Sequence, residues 1–345
     1  MNENLKLLDC TFRDGGHLNQ WNFDYDCVQK AYKSASVSGV DYFEIGYRTP
    51  ASIKNLGQFA YCTDDFLLNL IEPIDTCKLT IMIDVGKSEV LIQECMKEVT
   101  PVKAIRIASY PYELDKAIEL VEIVKDKGYE VFLNLMAFSE FTIENFQTLM
   151  DWKNKDMLNA IYFADSFGSF LPNDVSKKLK LLKDCGFERI GFHAHNNLQL
   201  AFANTLILLD NDIEYVDASI YGMGRGSGNL QMEVLLAYLE KTGKDKYNPL
   251  QYLKLVDTYF IDLYKDYNWG YNLQSLMGGI KNIHPYYIHH LYKKGLSIQS
   301  MWNCLDDIKR DCPISFSAEK LNEILEQRTL LEEKDNILEY LNKKI

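Results

Sequence analysis

The sequence predicts an α/β fold, a closed (β/α)8 barrel (TIM barrel) with a C-terminal helical extension. Short apolar runs that end in polar residues recur through the first part of the 345-residue chain, and amphipathic helical segments separate them. Strands that alternate with helices form a parallel sheet, and an eight-stranded arrangement favours a closed barrel. The alternative is an open, doubly wound sheet. The predicted strands lie near residues 6–12, 41–47, 79–85, 104–109, 130–136, 159–164, 189–194 and 215–220.

A glycine separates helix from strand at several places in this pattern. Residues 113–127 carry their apolar side chains on one helical face, and Gly128 follows directly before the next apolar run. Gly39 and Gly186 stand in the same place before the second and seventh predicted strands. Glycine adopts the left-handed conformation that closes a helix more easily than other residues. These positions therefore predict where helices end.

The regular alternation of predicted strands and helices ends after residue 240. We predict a barrel-shaped catalytic domain over residues 1–240 and a mostly helical region over residues 249–345. The second region has no repeat and no low-complexity linker before it. We therefore expect it to pack on the barrel rather than to form an independent module.

Composition excludes several classes of protein. The formal net charge of −12 repels nucleic acid and anionic membranes. The eight cysteines include no Cys-x-x-Cys pair, which is typical of a reducing compartment rather than of a disulfide framework. No run is long enough for a membrane helix, and the first residues carry no apolar leader segment. We expect a cytoplasmic protein with no nucleic-acid or membrane partner.

A divalent-metal site is predicted from residues that lie far apart in the chain. His193 and His195 end the seventh run, where alternate residues of a strand face the same side. Asp14 follows the first run, and barrel strands end at one common rim. Two imidazoles and one carboxylate leave positions open for substrate and suit Mn²⁺ or Mg²⁺, while Zn²⁺, Co²⁺ and Fe²⁺ also fit. The alternatives are two histidines with structural partners and an Asp14 paired only with Arg13.

Arg13 and His17 flank the predicted carboxylate ligand. A guanidinium stabilises an oxygen that gains charge in a transition state. His17 lies three residues beyond Asp14, and an imidazole titrates near neutral pH, which suits a general base. The alternative for His17 is a histidine on a surface loop.

A glycine-rich turn over residues 222–228 follows the eighth run and leads to Asn229. The turn matches neither a Walker A loop nor a dinucleotide-binding fingerprint, so a phosphate cradle is weakly supported. We expect its glycines to let the backbone approach the barrel mouth closely. Asn229 either orients a metal ligand or binds the metal itself.

Three segments resemble the DRE-TIM metallolyases, the HMGL-like superfamily. They are residues 9–17 (DCTFRDGGH), 193–204 (HAHNNLQLAFAN) and 216–229 (VDASIYGMGRGSGN). The superfamily contains 4-hydroxy-2-oxovalerate aldolase, HMG-CoA lyase, isopropylmalate and homocitrate synthases, and the carboxyltransferase domain of pyruvate carboxylase. His17 stands where the synthases and HMG-CoA lyase carry glutamate or glutamine. Within the superfamily the chain is therefore most similar to the aldolases.

The resemblance implies an aldolase that cleaves or forms a 4-hydroxy-2-oxo acid through a metal-bound pyruvate enolate, with an aldehyde as the second product or substrate. It implies Mn²⁺ on Asp14, His193 and His195. It also implies that Arg13 stabilises the enolate, that His17 acts as the base, and that Ser166 helps to hold the substrate carboxylate. A homo-oligomer and an aldehyde dehydrogenase partner are further implications.

The chain departs from the family pattern in two places. Phe12 stands where the family usually has leucine. In the C-terminal region, where a family tyrosine assists proton transfer, the candidates are His284, Tyr286 and Tyr287. This second departure leaves the aldehyde half of the substrate open.

Three other functions remain as alternatives. A Claisen-type acyl-CoA condensing enzyme or lyase shares the barrel, but it needs a basic strip for the CoA pyrophosphate. A metal-dependent hydrolase usually carries His-x-His on its first strand. A barrel that has lost catalysis has no physical need to keep so many polar groups at one rim.

Overall fold

The computed structural model describes residues 3–86, 92, 95–96, 99–311 and 314–329. Eight parallel strands close into one barrel in sequence order, with β1 paired to both β2 and β8. The predicted (β/α)8 fold is therefore confirmed. The strands are β1 (Lys6–Asp9), β2 (Tyr42–Tyr47), β3 (Lys78–Asp84), β4 (Ala104–Ser109), β5 (Glu130–Leu135), β6 (Ala160–Asp165), β7 (Ile190–Ala194) and β8 (Tyr215–Ala218).

The first strand is shorter than predicted. It ends at Asp9, and a short helix begins at Thr11, so the predicted strand through residue 12 is wrong. The carboxylate of Asp9 accepts a hydrogen bond of 2.9 Å from the backbone N–H of Thr11 and turns the chain there. Arg13 and Asp14 consequently lie on a helical turn above the strand.

Helices surround the barrel and continue past it. The structure describes α1 (Thr11–Asp14), α2 (Gly16–Asn19), α3 (Tyr25–Val37), α4 (Gln58–Tyr61), α5 (Asp64–Leu70), α6 (Leu114–Asp126), α7 (Ile143–Asp151), α8 (Pro172–Asp184), α9 (Ala201–Asp210), α10 (Met232–Lys241), α11 (Leu250–Leu255), α12 (Ile261–Tyr267), α13 (Leu273–Lys281), α14 (Pro285–Lys293) and α15 (Ile298–Asp311). Residues 318–329 are also helical. Gly39, Gly128 and Gly186 all have positive φ, which confirms their predicted place at helix ends.

The C-terminal helices divide between two apolar cores. Tyr252, Phe260 and Trp269 belong to the core that packs around the barrel strands. A second core begins with Met277 and continues to residues of the last described helix, such as Leu321. The helical extension is confirmed, and the domain boundary predicted between residues 240 and 249 stays a prediction.

Aromatic side chains fill the N-terminal half of the barrel. Tyr42, Phe132, Tyr162 and Tyr215 form one buried cluster, with ring centroids of neighbouring members 5.0–6.3 Å apart. Because this end is closed, polar groups can reach a ligand only at the C-terminal rim. Among the described residues no helix is both long and apolar enough to span a membrane, and no cysteine forms a disulfide.

Candidate metal centre and active site

The carboxylate of Asp14 and the imidazoles of His193 and His195 meet at the C-terminal rim of the barrel. One ligand atom from each lies within 4.8 Å of the others, and all three side chains are buried. Strands β1 and β7 both neighbour β8, which brings together residues distant in sequence. The three predicted ligands therefore converge as expected, and their binding of a metal stays a prediction.

Hydrogen bonds from the barrel set the orientation of both imidazoles. Nδ1 of His193 lies 2.9 Å from a carboxylate oxygen of Asp217, and Nδ1 of His195 lies 3.1 Å from the carbonyl oxygen of Asp165. Each ring therefore keeps Nε2 available, the arrangement that metal-binding histidines use. Burial lowers the pKa of His193 to about 4 despite its bond to Asp217. A neutral imidazole is the form that binds a metal.

Asp14 is held as a carboxylate by its neighbours. Burial opposes its ionisation, but Arg13 and His195 outweigh that effect and keep the pKa of Asp14 well below its usual range. One oxygen accepts a hydrogen bond of 2.8 Å from Nη1 of Arg13, and the other accepts one of 2.7 Å from Nδ2 of Asn229. The ion pair considered from the sequence is thus present, and it coexists with the ligand cluster.

Asn229 reaches the centre because Gly224, in the turn before it, leaves room for its side chain. A Cβ atom on Gly224 would lie 2.6 Å from Oδ2 of Asp14 and 2.4 Å from Nδ2 of Asn229, so no larger residue fits. This confirms the predicted close approach of the backbone. Oδ1 of Asn229 and Nε2 of His195 are both buried without a hydrogen-bond partner in the described part of the chain. Two such acceptors beside an ionised carboxylate fit a divalent cation.

Arg13 is fixed from one side and free on another. Its Nε donates a hydrogen bond of 2.7 Å to Glu44, and Nη1 donates to Asp14. Nη2 is buried and has no partner among the described residues. Two of its nitrogens are already held by hydrogen bonds, so the guanidinium loses little further rotational freedom when Nη2 binds a substrate oxygen.

Asp217, in a charged layer beneath the centre, was not identified as functional from the sequence. Asp217 lies 2.5 Å from Nη2 of Arg106, whose guanidinium packs 4.1 Å from the ring centroid of Tyr162. The same Nη2 donates a hydrogen bond of 3.1 Å to Asn134. The only hint was an aspartate inside the apolar run that became β8. The role of Asp217 depends on its contacts with residues of other strands, and the sequence does not show which strands bring residues into contact.

His17 lies at the barrel mouth on α2, half-buried rather than on an open loop. Its ring packs edge-on against Trp21 and Tyr47, with centroids 4.6 Å and 6.0 Å away. Gly16 is required here because a Cβ atom would lie 2.1 Å from the Trp21 indole. Burial, followed by the charge of Arg225, holds the pKa of His17 well below its usual value. Its role as a base stays a prediction.

Ser166 and Phe12 lie outside the ligand cluster. The Ser166 hydroxyl accepts a hydrogen bond of 2.8 Å from the backbone N–H of Ala137. Its own proton remains free to donate, and its predicted contact with substrate is not tested. Phe12 packs in a buried aromatic group with Phe23 and Phe43. The exchange of leucine for phenylalanine therefore changes packing behind the centre.

The C-terminal candidates for proton transfer occupy different surroundings. Tyr287 is buried in the second core, where its hydroxyl donates to the carbonyl of Ser315 and accepts from the backbone N–H of Ser317. His284 caps α14 by accepting a hydrogen bond from the backbone N–H of Tyr286. Of the three candidates, Tyr286 lines a cavity of about 580 Å³ that also contacts His17.

Fold and site together define a class: a (β/α)8 barrel with a candidate mononuclear divalent-metal centre at its C-terminal rim. The HMGL-like family profile matches residues 4–260 of the chain. This protein belongs to the HMGL-like family, which confirms the resemblance to the DRE-TIM metallolyases.

Individual relatives agree with this assignment. A 4-hydroxy-2-oxovalerate aldolase from Pelotomaculum thermopropionicum is 32% identical over 246 residues, 69% of this chain and 71% of the relative. An oxaloacetate decarboxylase from Mycobacterium tuberculosis is 26% identical over 238 residues, 69% of this chain and 70% of the relative. The crystal structure of the N-terminal domain of a candidate aldolase from Bacteroides vulgatus superposes with a TM-score of 0.74 at 32% identity, covering 87% of this chain and 99% of that one.

Proposed function

We propose that this protein is a carbon–carbon lyase, a divalent-metal-dependent aldolase that cleaves or forms a 4-hydroxy-2-oxo acid. The products of cleavage are pyruvate and an aldehyde. The observation that carries the proposal is the convergence of Asp14, His193 and His195 beside the free Nη2 of Arg13. The relatives named 4-hydroxy-2-oxovalerate aldolase support the same reaction.

Asp14, His193 and His195 hold the metal in this proposal, and Asn229 either contributes Oδ1 as a further ligand or orients Asp14. We propose Mn²⁺, with Mg²⁺, Co²⁺ or Zn²⁺ as alternatives, because the donor set mixes nitrogen and hard oxygen atoms. When bound, a divalent cation supplies a Lewis acid for the carbonyl of a 2-oxo acid.

The chain's own residues divide the remaining work. His17 accepts the proton of the C4 hydroxyl, and its low pKa keeps the ring neutral and able to do so. The C3–C4 bond then breaks, the aldehyde leaves, and negative charge develops on the C2 oxygen. Arg13 stabilises that charge through Nη2, because Glu44 and Asp14 already hold its other nitrogens. Ser166 donates a hydrogen bond to the substrate carboxylate, and uptake of one proton at C3, which balances the proton that His17 accepted, completes pyruvate.

A second candidate is decarboxylation of a 2-oxo dicarboxylic acid, which the Mycobacterium tuberculosis relative favours. The same arginine would stabilise the same developing charge, and carbon dioxide would leave in place of the aldehyde. Release of carbon dioxide from oxaloacetate, compared with addition of pyruvate to an aldehyde, distinguishes the two.

The decisive experiment measures exchange of the pyruvate methyl protons in D₂O by NMR, with metal-free protein and then with added Mn²⁺. Exchange requires the metal, Arg13 and a base, the role we propose for His17, but it does not require the unknown aldehyde. We expect exchange only with metal, and a strong loss in His17→Ala. A matched His290→Ala control, outside the barrel, keeps wild-type exchange. Absence of exchange with pyruvate and 2-oxobutyrate, under conditions where Mn²⁺ binds, would overturn the proposal and direct attention to acyl-CoA substrates.

The proposed substrates are small molecules, a 2-oxo acid and an aldehyde. A homo-oligomeric state, an aldehyde dehydrogenase partner and the cytoplasmic location stay predictions from the sequence.

A further inference from the structure

A large cavity lies between the barrel mouth and the C-terminal helices. Its volume is about 580 Å³, and it is lined by His17 on one side and by residues of α13 and α14 on the other. One water molecule takes up about 30 Å³ in the liquid, so the space corresponds to about twenty waters. A two-carbon aldehyde would occupy a small part of it. The cavity therefore predicts a longer aldehyde half.

Arg225 contributes an unpaired charge to this cavity. Arg13, Arg48 and Arg106 each form an ion pair of 2.5–2.7 Å with a carboxylate. Arg225 makes no ion pair or hydrogen bond within the described ranges, and its Nε is buried without a partner. Its guanidinium carbon lies 5.8 Å from the centroid of the Tyr286 ring. Its Nε is therefore a donor that an entering ligand can satisfy.

The remaining lining of the cavity also favours an anion. The chain carries 49 acidic residues, yet no aspartate or glutamate from the described part of the chain lines this space. Lys293 adds a second cation at the rim, and Asn197, Asn272 and Ser275 add polar groups. An unpaired arginine in a cavity without carboxylates provides a binding site for a carboxylate or a phosphate.

The backbone around Arg225 is held in place. Gly226 has φ +57°, and a Cβ atom there would lie 2.6 Å from the Ser275 hydroxyl, so the turn packs directly on α13. Its carbonyl accepts a hydrogen bond of 3.0 Å from the backbone N–H of Gly270. Arg225 and His17 line the same cavity, which places Arg225 on the side of the proposed base.

We propose that the aldehyde half of the substrate carries an anionic group, a carboxylate or a phosphate, and that Arg225 binds it. The inference rests on the proposed aldolase function, because that function places pyruvate at Arg13 and directs the other half of the substrate past His17 into the cavity. It names the substrate class that the sequence left open.

The test compares aldehydes of the same carbon chain with and without an anionic end group, in their addition to pyruvate by the Mn²⁺-loaded protein. Butyraldehyde is matched with succinic semialdehyde, and glyceraldehyde with glyceraldehyde 3-phosphate. We expect kcat/KM to favour one anionic member by at least about tenfold, the effect of a charge-assisted hydrogen bond. The pair that shows the preference identifies the anion as a carboxylate or a phosphate.

Variants assign the preference to Arg225. In Arg225→Gln the ratio of kcat/KM for the anionic and neutral members falls towards one, and in Arg225→Lys it is intermediate because the charge remains. Lys294→Gln is the matched control, since Lys294 is exposed and does not line the cavity. It keeps the wild-type ratio. The neutral aldehyde serves as an internal reference, so a general loss of activity does not imitate loss of the preference.

Two further outcomes separate this inference from the aldolase proposal. Pyruvate exchange with equal use of neutral and anionic aldehydes overturns the anionic substrate and leaves the aldolase standing. Absence of exchange overturns the aldolase proposal. The shift of Tm on addition of inorganic phosphate or succinate then tests whether Arg225 forms an anion-binding site at all. Stabilisation of the wild type that disappears in Arg225→Gln supports an anion site, and equal shifts in both proteins overturn it.

Discussion

The floor and the roof of the active site hold their charges in opposite ways. In the floor, which comprises Arg13, Glu44, Arg106 and Asp217, each side chain is buried and paired with an opposite charge. In the roof, formed by residues 222–229 and α13–α14, Arg225 has no ionic partner among the described residues. Arg225 lines the cavity between the barrel mouth and the C-terminal helices, whereas the floor residues lie in the barrel strands and in α1.

This difference separates the chemistry that a site performs from the substrate that it selects. Charges that are already paired and buried keep their geometry and stabilise a transition state without reorganisation. A charge that lacks a partner gains one only when a ligand enters. We therefore expect changes in the floor to affect pyruvate activation with every aldehyde. Changes in the roof should affect the choice of aldehyde.

The largest effect is expected from loss of a metal ligand. In His195→Ala the centre loses one of its imidazoles, and pyruvate exchange should fall by about three orders of magnitude, because a Lewis acid supplies several kcal/mol. Metal analysis of the purified protein should show a matching loss of bound Mn²⁺. His289→Ala, on the cavity wall, should retain its metal. A variant that exchanges pyruvate normally without metal would contradict the assignment of the floor.

A smaller loss of pyruvate exchange is expected when the centre keeps its metal but Arg13 is replaced. Arg13→Gln removes the charge that faces the C2 oxygen, so exchange should fall by about 10²–10³-fold. Bound Mn²⁺ should remain, because Arg13 is not a ligand. Circular dichroism must first show that the fold persists, since Glu44 would lose a buried partner. An unchanged rate in a folded, metal-loaded variant would rule out this role.

Asp217 tests whether the floor also positions the metal ligands. Asp217→Asn preserves shape but weakens the acceptor for Nδ1 of His193, so the Kd for Mn²⁺ should rise by about 10–100-fold. Saturating Mn²⁺ should then restore much of the exchange activity. A purely structural role predicts lower stability without this rescue by metal.

Two buried aspartates, Asp14 and Asp9, differ in how burial and neighbouring groups shift their pKa values, and this difference predicts a pH dependence of stability. Asp14 has arginine beside it and a lowered pKa, whereas burial raises the pKa of Asp9 from 3.8 to about 6, despite hydrogen bonds from Thr11 and Tyr252. The folded state therefore binds the Asp9 proton more tightly than the unfolded state does. The contribution of Asp9 to the free energy of unfolding should be greatest below about pH 4 and decline, by about 1 kcal/mol per pH unit, as pH rises to 6.

Denaturant unfolding at several pH values measures this contribution. Asp9→Asn should remove the contribution of Asp9, so that the difference in unfolding free energy between variant and wild type changes by about 1 kcal/mol per pH unit between pH 4 and 6, while the similar contribution of Asp165 remains in both proteins. Asp245→Asn, an exposed matched control, should keep the contribution of Asp9. Equal pH dependence in the wild type and Asp9→Asn would show that the carboxylate is ionised in the folded protein throughout this range.

Much of the fold could be predicted because periodicity is local. The runs at 104–109, 130–136 and 159–164 became β4, β5 and β6 with ends shifted by one residue at most. The first strand was misjudged because its last residues are apolar enough to continue it. A side chain, Asp9, turns the backbone instead, and hydrophobic pattern does not report such bonds.

The sequence by itself determined the barrel and the spacing of His193 and His195, because strand periodicity and a His-x-His pair can both be recognised from residues that are close together in the chain. It also indicated Asp14, Arg13 and His17 through one short segment. Only the tertiary structure decided that Asp217 supports His193 and that Arg225 has no ionic partner among the residues described. Both facts depend on which side chains meet after the barrel closes and the C-terminal helices pack, and residues so far apart in the chain have no local signal for one another.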